Sequence, residues 1–239
     1  MSRLRLPVLI LATVATSWAV CQAADELTTT TPVSKPDDWW QRRHQKINDR
    51  ANQGDVDLIF IGDSITQGWE GDSGKDIWEK FYGKRRAMNA GISGDRTQHV
   101  LWRLDHGNIE GIKPKLAVVM IGTNNSGDDS PEDIAAGITA IVQKLREKLP
   151  ATRILLVGVF PRGENGNDRQ RKVNVATNEI IKSLDDGKSV YYLDISDKFL
   201  DGNGTLPRQV MPDLLHPNKR GYEVWAEAIE PKVAELLGT

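Results

Sequence analysis

The chain has 239 residues, and its 31 Lys and Arg against 33 Asp and Glu leave a formal net charge of −2 at pH 7. That length can bury one sizeable α/β core. So even a charge balance excludes a basic field for nucleic acid or an anionic membrane surface.

The N-terminus departs from the rest. Arg3 and Arg5 precede the apolar run LPVLILATVATSWAV, which gives way to CQAADE. A basic start, an apolar middle and a small-residue exit read as a secretory signal peptide over residues 1–23, cleaved after Ala23. The apolar run is short for a stable membrane span. A lipoprotein signal ending at Cys21 is the rival, but Val20 is bulkier than that processing usually accepts. Cys21 is the only cysteine and would leave with the signal. The mature chain then has no disulfide, thiol nucleophile or cysteine metal site, and the expected location is periplasmic or secreted. Residues 24–37, ADELTTTTPVSKPD, are polar, Thr-rich and Pro-broken and read as a flexible leader to a single domain over 38–239.

An amphipathic helix is predicted over 39–52, with Trp39, Trp40 and Ile47 on its apolar side. Five continuous apolar runs follow, at 56–63, 86–92, 115–123, 153–160 and 189–196, as expected for strands covered on both faces. Helical stretches separate them at 97–106, 131–148 and 168–185, and a last helix spans about 218–237. The 131–148 stretch carries start signals: Ser130 as N-cap, Pro131 at the first helical position and acidic residues in the first turn. Strand–helix alternation predicts an α/β fold, a three-layer α/β/α flavodoxin-like sandwich with a five-stranded parallel sheet in the order 2-1-3-4-5. No G-x-G-x-x-G follows the first strand, which weakens a dinucleotide reading.

In such sheets, ligands bind at the carboxyl ends of the strands. The first strand ends at Asp63-Ser64, the second in GISGD with Ser93 and Gly94, and the third in GTNN with Thr123, Asn124 and Asn125. Near the C-terminus stands PDLLHPN, with Asp213 and His216. A hydroxyl, glycine amides, an amide side chain and an Asp/His pair could thus meet on one rim. Acyl transfer needs such a set. A serine requires a base within hydrogen-bond reach, a carboxylate orients the base, and fixed donors must face the oxyanion. The nucleophile elbow G-x-S-x-G is absent. As a bland alternative, Ser64 merely caps the turn after the first strand.

Taken in order, GDSIT, GISGD, GTNN and DLLH resemble four blocks of the SGNH, or GDSL-type, esterase superfamily. The stretch GDRTQHVLWRLDHGNIEGIKPKLAVVMIGTNN (94–125) and PRGEN (161–165) are more specifically similar to the catalytic subunits of platelet-activating factor acetylhydrolase Ib. The resemblance implies a carboxylic ester hydrolase with no metal or organic cofactor. It implies Ser64 as nucleophile, Asp213 and His216 as its triad partners, and an oxyanion hole of Ser64, Gly94 and Asn124. It further implies an acyl pocket of Ile65, Thr123 and Leu215 suited to acetyl groups, and it allows a homodimer. An exported chain points to an acetylated carbohydrate or a similar small ester. The alternatives are a phospholipid-directed esterase, a thioesterase or a non-catalytic binding module. His99 and His106, seven apart, do not have the helical metal spacing of four and read as packing or solvent-facing residues. Asp63 reads as structural, and Asp95 and Arg96 as partners in local hydrogen bonds or an ion pair.

Overall fold

The structure, a computed structural model, describes residues 28–238. The signal sequence, Cys21 and the first part of the leader lie outside the described residues. Five parallel strands form one sheet in the order β2-β1-β3-β4-β5, as the sequence predicts. They are β1 (Leu58–Gly62), β2 (Ala87–Gly91), β3 (Leu116–Met120), β4 (Arg153–Val157) and β5 (Val190–Leu193).

Two apolar layers follow from the strand period of two. Ile59, Ile61, Ala117, Val119, Ile154 and Leu156 face helices α1 (Asp38–Asn52), α4 (Thr97–Asp105), α5 (Pro131–Lys148) and α6 (Arg169–Ile181). Leu58, Phe60, Val118, Met120, Leu155 and Val157 face α3 (Lys75–Tyr82), α7 (Ser196–Phe199) and α8 (Lys219–Leu237). Both faces of the sheet are covered, which is why the strands read as unbroken apolar runs. The start of α5 is built as its sequence signals: Ser130 Oγ accepts from Asp133 N at 3.1 Å, with Pro131 in the first turn.

Three expectations are corrected. Trp39 is 45% exposed, so Trp40 and Ile47 alone of the three anchor α1. The stretch 168–185 is divided into α6 and a short 3-10 turn at Lys182–Leu184. Residues 28–37, read as flexible, lie against the domain. Thr29 is fully buried, Thr97 Oγ1 donates to Thr29 O at 2.8 Å, and Val33 N donates to Gln98 O at 3.2 Å. The polar composition concealed this because threonines that hydrogen-bond to backbone can be buried at little cost.

Candidate active site

Register decides what meets at the rim. Gly62 pairs with Gly91 on one side and with Met120 on the other. The chain therefore leaves three adjacent strands at the same level, carrying Asp63-Ser64, Ser93-Gly94 and Thr123-Asn124 side by side. A four-residue helix, α2 (Ser64–Gln67), turns directly over these ends. It sits so close that a Cβ on Gly62 would lie 2.2 Å from Thr66 Oγ1, and one on Gly91 would lie 2.3 Å from Gln67 N. Glycine at both positions is a condition of the approach.

Asp63 caps α2, its Oδ1 accepting from Ile65 N at 2.9 Å. Tyr222 Oη, from α8, donates to Ile65 O at 2.7 Å. Ile65, the residue after Ser64, is thus held at both its N–H and its carbonyl. Ser64 Oγ lies 2.9 Å from His216 Nε2, and His216 Nδ1 lies 2.6 Å from Asp213 Oδ2. Asp213 Oδ1 accepts from His216 N at 2.7 Å and Leu215 N at 3.0 Å. Burial would raise the Asp213 pKa, but these bonds outweigh it and hold the carboxyl below its ordinary value. Between the two lies Leu214 at φ +62°, a left-handed conformation costly for a leucine. Leu214 N to Met211 O and Gly163 N to Leu214 O, each 2.9 Å, hold it.

Gly94 is also left-handed, at φ +69°. Asn124 Nδ2 donates to Asp95 O at 2.8 Å, which fixes the amide's orientation and leaves it a second N–H. A hydroxyl against a carboxylate-oriented imidazole, flanked by amide donors, can carry out acyl transfer.

Of the three expected acyl-pocket residues, Ile65 and Thr123 are each 1% exposed, and Leu215 is half-buried. Ile65 packs in the α8-side core, and Thr123 Oγ1 accepts from Arg162 Nη1 at 3.2 Å. Only Leu215 offers side-chain surface there. On another side of Ser64 lies an open depression of about 410 Å³ lined by Gln67, Gly68, Glu70, Gly71 and Ser93. A larger cavity of about 550 Å³, lined mainly by aliphatic residues such as Leu104, Ile109, Ile112 and Leu149, holds none of the residues above. It lies where the chain enters β3 and β4, the opposite end of the sheet. Among the described residues, no three His, Cys, Asp or Glu side chains are grouped to hold a metal, and no helix is long and apolar enough to cross a membrane.

Sequence reasoning missed the supports beneath the rim. Arg103, fully buried in α4, donates to Asp95 Oδ2 (2.7 Å), Ala90 O (3.0 Å), Asn108 Oδ1 (2.6 Å) and Gly62 O (3.2 Å). Trp40 Nε1 donates to the other Asp95 oxygen at 2.6 Å. Burial pushes the Asp95 carboxyl up and the Arg103 guanidinium down. Arginine stays charged in proteins, so Asp95 stands as its counter-charge. The available signal was an arginine in a helix of apolar residues, one turn after Val100 and next to Leu104. His99 accepts from Arg96 N through Nδ1 (2.9 Å) and His106 Nδ1 lies 2.6 Å from Trp102 O, consistent with local roles for both.

Asp63 carries a testable consequence. It is wholly buried, and its Oδ2 has no hydrogen-bond partner among the described residues. Burial first, and then the nearby Asp95, push its pKa up to about 7, against the lowering influence of Ile65 N and His216. The proton is held more tightly folded than unfolded, so this group costs no stability below about pH 4. The cost grows as pH rises from there to about 7, reaching roughly 4 kcal/mol. Asp63→Asn keeps the acceptor for Ile65 N and cannot ionise. Urea unfolding is expected to show wild type losing stability relative to this variant between pH 4 and 7. Parallel pH profiles would contradict the assignment.

Comparison with known proteins identifies the family. The model of the GDSL-like lipase/acylhydrolase family matches residues 60–224. Human platelet-activating factor acetylhydrolase IB subunit alpha1 is 35% identical over 215 residues, covering 86% of this chain and 91% of the relative. The rat alpha2 subunit is 36% identical over 202 residues, 84% of this chain and 86% of the relative. Among solved structures, a GDSL-like lipase from Bacteroides thetaiotaomicron has a TM-score of 0.64 at 19% identity, covering 81% of this chain and 97% of that one. A catalytic mutant of an acetylxylan esterase from Geobacillus stearothermophilus has a TM-score of 0.57 at 21% identity, covering 76% and 93%. The chain belongs to the GDSL-like lipase/acylhydrolase family and is a carboxylic ester hydrolase.

Proposed function

We propose that the chain is a serine esterase that removes short acyl groups, acetyl first, from the oxygen of an acetylated carbohydrate or similar small ester. The observation that carries this reading is the continuous Ser64–His216–Asp213 contact at 2.9 and 2.6 Å. His216 Nε2 takes the Ser64 proton as Oγ attacks the carbonyl carbon. Charge gathering on the carbonyl oxygen meets N–H groups of Ser64, Gly94 and Asn124. His216 then protonates the departing alkoxide, leaving an acyl-serine. It next deprotonates a water, whose attack releases the acid and restores Ser64. Asp213 holds the imidazole in the tautomer that presents Nε2 to Ser64 and stabilises the imidazolium.

Two features support a small acyl group and a polar alcohol. Ile65 and Thr123 are closed into the core, so the acyl side has no apolar channel at these positions. The open depression beside Ser64 is lined by Gln67, Ser93, Glu70 and glycines, which suit hydroxyl groups better than an alkyl chain. The relatives' names also share an acetyl group as the acyl group removed. The N-terminal signal pattern supports a reaction outside the cytoplasm. A second reading, a phospholipid-directed acetylhydrolase, is favoured by the identity to the animal subunits over 86% of the chain. Initial rates on acetyl-xylan, an O-acetylated monosaccharide, platelet-activating factor and a lysophospholipid separate the two. The expected order puts the acetylated sugars first, and p-nitrophenyl esters lose rate as the acyl chain lengthens. Faster turnover of platelet-activating factor than of every acetylated sugar would replace the first reading with the second.

A further inference from the structure

The segment 28–37 does more than cover the domain. Thr29 Oγ1 donates to Asp133 O at 2.8 Å and Gln41 Nε2 to Lys35 O at 2.5 Å, which fixes the segment at both ends. At the second of these points the Lys35 side chain is laid over the loop after β2. Its Nζ donates to Gly94 O at 2.6 Å. It also lies 3.1 Å from where a Cβ on Gly94 would stand. The ammonium therefore occupies the space opened by the glycine whose N–H faces the developing oxyanion. Gly94 is held at φ +69° between this contact on its own carbonyl and the clamps on Asp95. Those clamps are Asn124 Nδ2 on Asp95 O and Trp40 and Arg103 on the Asp95 carboxylate. Lys35 is half-buried; burial draws its pKa down, Asp95 and Asp37 offset part of that, and Arg96 adds to it.

We infer that Lys35 is a positioning residue for acyl transfer, supplied by the N-terminal segment. It locks the left-handed Gly94 backbone that aims one oxyanion donor, and it adds a positive charge to that loop. This inference rests on the Ser64–His216–Asp213 reading above. A charge in a half-buried site is screened less than one in open solvent. It acts on the transition state more than on a neutral ester in its ground state, so the effect falls on kcat.

The test is steady-state kinetics of the full chain on p-nitrophenyl acetate with wild type, Lys35→Met, Lys35→Gln and Lys35→Arg. Lys35 acts through the backbone rather than touching the oxyanion, so the loss is smaller than for a direct donor. Lys35→Met and Lys35→Gln are expected to lower kcat about tenfold with KM within about twofold. Lys35→Arg, which keeps the charge, is expected to recover most of the rate. Wild-type kcat in both neutral variants overturns the inference, as does an equal loss in the arginine variant. Either result leaves the triad reading intact if Ser64→Ala is inactive in the same assay. Activity surviving Ser64→Ala would instead remove the triad reading on which Lys35 depends.

Discussion

Ser64→Ala is expected to lower kcat on p-nitrophenyl acetate by roughly 10⁴-fold or more, with His216→Ala close behind. The reason is geometric. Among the described residues Ser64 Oγ has one base in reach, His216 Nε2 at 2.9 Å, and neither residue replaces the other. Removing both is therefore expected to cost about as much as removing one. Asp213→Asn is expected to be milder than His216→Ala, by about tenfold or more. Asparagine keeps an acceptor for His216 N, and the imidazole remains anchored beside Ser64. The Asp213 side chain is 56% exposed, so water can share its partnership with Nδ1. Fluorophosphonate labelling followed by mass spectrometry locates the modified residue independently of turnover. Label on a residue other than Ser64, or Ser64→Ala turning over at near wild-type rate, would remove the proposed mechanism.

The sheet was legible because both of its faces are buried. A strand covered on two sides must be apolar throughout, and the five runs stand out against polar loops. The apolar runs exceed the strands by two to four residues, chiefly for one reason. Ile92, Ile121 and Phe160 stay buried after the ladder ends, so hydrophobicity continues where hydrogen bonding stops. The reverse error hid α2 and α7. Four residues make one turn, too few for a period of 3.6 to register. Helix α3 had an apolar side with Ile77 and Tyr82, but eight residues between Gly74 and Gly83 gave little room for a pattern. At the site, the rim residues were legible because polar groups at strand ends contradict the apolar runs that precede them. The layer beneath was not. Lys35 lies in a segment of ordinary linker composition. Arg103 reaches four partners, in the loop before α4, the turn after it, β1 and β2, a convergence that only tertiary structure creates.

That convergence makes Arg103→Met the substitution with the largest expected effect on stability. Methionine fills much of the space but leaves Asp95, which is 0% exposed, without its counter-charge. It also strips a donor from the carbonyls of Gly62 and Ala90, the ends of the two strands that carry Ser64 and Gly94 to the rim. Breaking a buried pair from one side typically costs about 3–5 kcal/mol. In a domain of this size that is a fall of about 10 °C in the unfolding midpoint. The sign of the pH dependence follows from burial. An unpaired buried carboxyl has a folded pKa above its unfolded one, so its contribution to stability is lost as pH rises. The deficit should therefore be larger at pH 8 than at pH 5. Asp95→Asn added to Arg103→Met removes the orphaned charge and should return part of the stability, a coupling that a double-mutant cycle measures. The carbonyls of Gly62 and Ala90 remain without their donor in the double variant, so the rim stays loosened and kcat should recover less than stability does. A single Arg103→Met variant within about 1 kcal/mol of wild type at pH 8 would show that Trp40 and solvent suffice for Asp95. The strand ends would then be fixed by the sheet register alone.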